Sequence, residues 1–374
     1  MSVICNNIMK IKTSNLSLTV LLSVFGLAGL DFLYSIGNSQ LEETIPLFQF
    51  FADSNTYIKT YRGEGDEGAM VRIDKNYLGP LTILKIFQGN NYLILIFNVF
   101  VFAGSVIQIA KALRLNSFYT AVLLLISPLT VSTLLSVNKE IFLFPFVALA
   151  LLAYLRNSLF FWFLALSVSL FVRWQLGVFC IVLILIGEMR LIYFTRVKFM
   201  LFMLASLSIG YLLIRPIIQP VLLFVQVSNE NYQDGGSGIF ERMLEFQDNG
   251  MYFLIFPIKA FHLLFGMGFK IDRILNPIDI YNDFFVSAHC AVTFLIFLGL
   301  IFKRKLSIDS DLLFISLLFL AFFCLTPVFA PRYLYLVFVL CVLVLLGAPP
   351  DLRILKIQNR PRTSLFPNGE KSLT

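Results

Sequence analysis

Lys139, Arg173, Arg215, Arg242 and Arg332 are the cations most in need of a reason, and most of them adjoin an apolar run. Arg173 stands in F-V-R-W-Q, Arg215 in L-I-R-P and Arg332 in A-P-R-Y-L-Y. Any one of them alone reads as a side chain that snorkels to a membrane surface. Gathered on one leaflet they make an anion site, and Arg suits phosphate because its planar fork holds two oxygens at once. Two carboxylates complete the set. Asp53, in F-F-A-D-S-N-T-Y, is flanked by aromatic residues and could serve as a general base on a hydroxyl group; its plainer reading is an exposed loop acid. Glu140 follows Lys139 in V-N-K-E-I, where it is either a second base or the acidic half of a helix-start pair.

Other patterns carry less chemistry. D-G-G-S-G at 234–238 has neither the preceding strand nor the spacing of a phosphate-binding loop. The acids of R-G-E-G-D-E-G read as a solvated turn, and His262 and His289 stand too far from other ligand types to argue for a metal. The apolar runs are almost free of ionisable groups and show no polar stripe. That weighs against an ion-coupled carrier and against a conducting pore.

The elements that must position these residues are membrane helices. Of 374 residues, 58% are hydrophobic and 14% charged, too few charges for a water-soluble domain of this length. Mean hydropathy is +0.84. The 41 Phe residues and the unbroken apolar runs fit helices rather than the alternating strands of a barrel. Cys180, Cys290, Cys324 and Cys341 lie within apolar runs and Cys5 near the N-terminus, which is no disulfide framework. A net charge of +7 points to orientation in a bilayer, not to nucleic acid.

Spans are expected near 16–36, 91–110, 118–136, 141–155, 158–172, 175–189, 199–214, 284–302, 310–328 and 332–348. The first reads as a retained helix, not a cleaved signal. Three further stretches, 77–88, 216–227 and 251–269, are short or interrupted by Pro216, Pro220, Pro257, Lys259 and His262, and are expected to be interfacial or re-entrant. With the N-terminus inside, Lys10, Lys12, Lys111, Arg114, Arg156, Arg190, Arg196, Lys198, the K-R-K at 303–305 and the tail face the cytoplasm. If 251–269 alone crossed, that K-R-K would flip outward, against the positive-inside rule. The expected fold is an all-α polytopic integral membrane protein of about ten transmembrane helices (10–12), with both termini cytoplasmic. A single transmembrane domain covers 1–348, with outer loops near 37–90 and 215–283, and a basic tail over 349–374 meets anionic lipid heads. Lys139, Arg173, Arg215, Arg242 and Arg332 then share the outer face.

A short first helix followed by an outer loop with D-S-N-T-Y resembles the GT-C membrane glycosyltransferases. N-Y-L-G-P at 76–80, the S-P to N-K-E-I element at 127–141, E-R at 241–242, F-P-I-K at 256–259 and A-P-R-Y-L-Y resemble bacterial oligosaccharide repeat-unit polymerases, those of O-antigen and capsule. The likeness covers most of residues 16–348 and implies a GT-C-like fold.

It implies a glycosyltransferase in the bacterial inner membrane, working at its outer face. Donor and acceptor would be undecaprenyl-linked glycans, the donor on a pyrophosphate, and a chain-length regulator and a flippase would be partners. Arg173, Arg215, Arg242 and Arg332, supported by Lys139, would meet the leaving pyrophosphate, and Asp53 or Glu140 would take the proton of the acceptor hydroxyl. Tyr57, Trp174 and Tyr333 would stack on sugar faces, or else belong to the interfacial aromatic belt. No cofactor is required, since arginines can replace a metal, although Asp53 could also hold a divalent cation. Two alternatives stay open: a GT-C transferase using a polyprenyl-monophosphate sugar, and a non-enzymatic lipid-oligosaccharide flippase.

Overall fold

The computed structural model describes residues 2–38, 52–63, 77–188, 196–232, 238–276, 280–326, 331–352 and 355, and every regular element among them is helical. In hydrocarbon a backbone must satisfy its own polar groups, and a helix does so within one segment. In chain order the helices are α1 (Ser2–Asn38), α2 (Ala52–Arg62), α3 (Leu78–Phe87), α4 (Asn91–Leu113), α5 (Ser117–Leu125) and α6 (Pro128–Leu135). A 3-10 turn over Lys139–Phe142 leads into α7 (Leu143–Arg156), α8 (Leu159–Val172), α9 (Trp174–Glu188) and α10 (Arg196–Tyr232). Then come α11 (Gly238–Asp248), α12 (Tyr252–Phe265), α13 (Ile271–Leu275), α14 (Ser287–Phe302), α15 (Asp311–Phe323) and, after a 3-10 turn over Pro331–Leu334, α16 (Tyr335–Leu346).

Among the described residues five segments are long and apolar enough to cross a bilayer: Ser14–Ser35, Asn91–Leu113, Arg196–Pro216, Tyr252–Phe269 and Asp283–Phe302. The α5–α6 pair makes a sixth if counted as one span. Helices α7, α8, α9, α15 and α16, where further spans are expected, have only 12 to 15 residues. Length and composition therefore support a multi-pass helical membrane protein with five to six such spans.

One end of the bundle is tied together by basic and polar side chains. Ser14 Oγ donates to Asn116 Oδ1 and shares a hydrogen bond with Ser117 Oγ, both at 2.9 Å. Arg196 pairs with Asp311 and donates to the Ile308 carbonyl at 3.0 Å. Lys305 Nζ donates to the carbonyls of Val344 and Leu345 at 3.2 and 3.1 Å, closing the end of α16. Burial and neighbouring Lys303 lower the pKa of this amine. The expected tail begins packed on this end: the Asp311 amide donates to the Pro350 carbonyl at 2.8 Å, and Leu352 and Leu355 are buried. Residues 356–374 lie outside the described residues.

Two apolar segments depart from the expected spans. Helices α5 and α6 meet at 94°, at the break before Pro128, so the expected span 118–136 is an elbow. Pro at the first position of α6 suits a new helix start, because its missing N–H has no partner to lose there. The other is α12, left out of the expected spans and yet long enough with the following 3-10 turn. Its start meets α15 through Tyr252 Oη, which donates to the Ala321 carbonyl, and α10 through Ser208 Oγ, which accepts from the Phe253 amide at 3.2 Å. Its far end meets α14, where Gly268 lies so close to Ala291 that a Cβ would overlap the backbone. Ser208, Ala321 and Ala291 lie twelve, ten and eleven residues from Arg196, Asp311 and Phe302, their helices' basic ends. At helical rise that is about 15–18 Å for all three. By this count both ends of α12 meet their neighbours at similar distances from the basic end.

Candidate functional site

The site forms where α6, α8 and α15 end, away from the basic end. Asn98 of α4 bonds the end of α6. It lies seven residues from the Asn91 start of α4 and fifteen from Leu113. The end of α6 therefore meets α4 about 10 Å from the far end of α4. Asn138 caps that turn, its Oδ1 accepting from the Glu140 amide at 3.1 Å. Helix α8 stops at Val172, and Arg173 takes an extended backbone that breaks the run into α9. Helix α3 roofs the turn: Gly79 packs on the Phe171 carbonyl and Phe142 with no room for a Cβ.

Within this corner Arg173 and Glu140 form a salt bridge, and they are only 5% and 7% exposed. The Arg173 guanidinium carbon lies 3.9 Å from the centre of the Tyr333 ring, and that of Arg332 lies 5.8 Å from it. Glu140, Arg173, Arg332, Tyr333 and Tyr335 line one cavity with Leu143, Val172, Leu176, Leu336, Phe319 and Phe323. Lys139 is buried in the same turn. Two guanidinium groups therefore face one carboxylate, and the surplus charge is positive. Desolvating an ion pair is costly unless further hydrogen bonds complete it, yet Glu140 Oε2 has no protein partner. That oxygen is an acceptor with its lone pairs free, in a cavity lined by two arginines.

The expected site residues thus divide. Glu140, Arg173, Arg332 and Tyr333 are brought together, with Lys139 adjoining. Arg215 is instead bound to Asp248, at 3.0 Å to both its carboxylate and its carbonyl. Arg242 is exposed on α11, and Trp174 is 47% exposed at the start of α9. Tyr57 is buried edge-to-face against Tyr77, 5.1 Å between ring centres, which leaves it packed rather than open to a sugar. None of these four lines the cavity. Asp53 lies in α2, and its side chain is outside the described residues, as is most of the D-G-G-S-G run.

Sequence reasoning missed a polar cluster behind the cavity. Tyr335 shares a hydrogen bond with Thr130 Oγ1, and Ser127 Oγ one with His289 Nδ1 at 2.7 Å. The rings of His289 and Tyr335 lie 5.5 Å apart. The cluster draws on α6, α14 and α16 together. The signal was the hydroxyl-rich run S-P-L-T-V-S-T, whose residues read singly as tolerated within a span.

Compared with protein-family models, with curated proteins and with solved structures, the chain has no match.

Proposed function

We propose that this chain is a membrane glycosyltransferase that polymerises undecaprenyl-pyrophosphate-linked oligosaccharide repeat units, of O-antigen or capsular type, at the outer face of the bacterial inner membrane. The observation that carries this reading is the buried Arg173–Glu140 pair with one carboxylate oxygen unpartnered and Arg332 beside it. In the reaction the acceptor hydroxyl oxygen bonds to the anomeric carbon of the donor as the bond from that carbon to the pyrophosphate oxygen breaks. Glu140 takes the hydroxyl proton through Oε2. The electron pair leaves on the pyrophosphate, whose growing charge is met by Arg332 and Lys139. Arg173 holds Glu140 in place. Asp53 is the second candidate base.

The proposed arrangement is GT-C-like, with about ten spans over 1–348 and both termini cytoplasmic. Supporting it, the basic residues Arg196 and Lys305 sit together at one end, and the Arg173–Glu140 site is built nearer the other. One observation favours a second reading. The elbow between α5 and α6, with buried hydroxyls beside it, is the kind of broken helix that carriers use.

The test is expression in cells that hold single repeat units on lipid A and lack their own polymerase. Ladders of repeats support the polymerase. A one-sugar mass shift supports a transferase using a polyprenyl-monophosphate donor. Accumulation of cytoplasm-facing precursor on deletion supports a flippase.

A further inference from the structure

We infer that Asn98 and the Gln247–Lys259 pair are positioning residues: each ties off, from a neighbouring element, the end of a helix that delivers one wall of the cavity. All three side chains are fully buried, and none lines the cavity. The last carbonyls of a helix have no partner within it, and in surroundings that exclude water they must find one elsewhere.

At the end of α6 the carbonyls of Thr133, Leu134 and Ser136 all accept from Asn98 Nδ2, at 3.3, 3.1 and 2.9 Å. Glu140 follows Ser136 by four residues. In the turn that follows α15 the Leu325 carbonyl accepts from Gln247 Nε2 at 2.8 Å. The Thr326 carbonyl accepts from Lys259 Nζ at 3.0 Å. The two side chains are themselves joined, Lys259 Nζ donating to Gln247 Oε1 at 2.6 Å. Arg332 follows Thr326 by six residues. A cation at a helix C-terminus also complements the helix dipole. The two walls therefore reach the cavity from ends that are fixed from behind, which holds Glu140 and Arg332 in register across it.

The anion arm of the test rests on the transferase reading, and the probe is geranylgeranyl pyrophosphate bound to the full chain in nanodiscs. Lys259→Met should weaken binding roughly tenfold while the protein stays monodisperse, about the cost of one lost buried hydrogen bond. Added to Arg332→Gln, it should cost nothing further, because it acts through Arg332. Losses that add in full overturn the inference. A second arm needs no ligand. Nitroxides at Tyr92→Cys and Arg332→Cys, in a background without the five native cysteines, report the distance from α4 to the Arg332 turn. A narrow distribution that broadens with Lys259→Met, and equally with Gln247→Leu should the first variant fold poorly, supports the pin; an unchanged width overturns it. Failure of the unsubstituted chain to bind the probe counts against the transferase reading alone, and the nitroxide arm still decides the positioning.

Discussion

Arg173 is held on two sides at once: its guanidinium carbon lies 3.9 Å from the centre of the Tyr333 ring, and Glu140 accepts one of its N–H groups. That geometry fixes the guanidinium and commits one of its donors to the carboxylate. Arg332 lines the same cavity and is half-buried, the more accessible of the two. The two arginines therefore have different work, and substitution should separate them.

Removing Arg173 leaves the Glu140 carboxylate buried without its cation. Arg173→Ala should cost about 3–5 kcal/mol of stability, read as a fall in the thermal midpoint in detergent, and should abolish polymer. Glu140→Leu with Arg173→Leu replaces the pair by apolar groups and should restore the midpoint without restoring polymer. Recovery of polymer in that double variant would remove Glu140 from the chemistry.

Arg332 should behave in the opposite way. Arg332 is half-buried where Arg173 is 5% exposed, so Arg332→Gln should lower the thermal midpoint less than Arg173→Ala does. Turnover should fall by roughly 10²–10³, the usual effect of losing one preorganised donor to a developing negative charge. Arg332→Lys keeps the charge and loses the fork, and should fall between. Turnover that stays normal in Arg332→Gln, measured as ladder formation per folded protein, would take the leaving-group role away from this residue.

How much of this was legible in the sequence follows from what each residue costs to bury. Charges in apolar sequence are expensive, so Glu140, Arg173 and Arg332 stood out before any fold was known. Their pairing did not, because Arg173 and Glu140 come from different elements 33 residues apart. Amides give even less warning. Asn98 sits in an apolar run and becomes informative only when three carbonyls of another helix are seen around its nitrogen. Arg215 also ends an apolar run, and its partner Asp248, 33 residues away, is one that sequence could not supply. Hydropathy likewise weighs length and composition, and so could not say whether α12 runs through the bundle or across it.

At the basic end the side chains build the bundle and have no part in the proposed reaction. Asp311 accepts from Arg196 and from the Leu352 amide, joining the starts of α10 and α15 to the chain after α16. Asp311→Ala should cost about 1–3 kcal/mol, the penalty for leaving such donors unsatisfied. Ladder formation per folded protein should not change. A selective loss of turnover with an unchanged thermal midpoint would show that this end bears on the reaction after all.

The position of α12 decides the sidedness of everything after it, and reporter fusions can read it. Between residues 245 and 305 the chain passes through α12 and its 3-10 turn, then through Asp283–Phe302. If α12 lies across the bundle, with its ends against Ser208, Ala321 and Ala291, only the second segment crosses. Fusions after 245 and 305 must then report opposite sides. If α12 crosses as well, they report the same side. Lys259 inside α12 is satisfied by Gln247 and the Thr326 carbonyl, so its charge excludes neither outcome. A fusion after 60 should match the one after 245, and the fusion after 305 should be cytoplasmic, carrying the K-R-K cluster with it. Residues 245 and 305 on one side would mean that α12 spans, and would set the K-R-K cluster on the outer side, against the expected orientation.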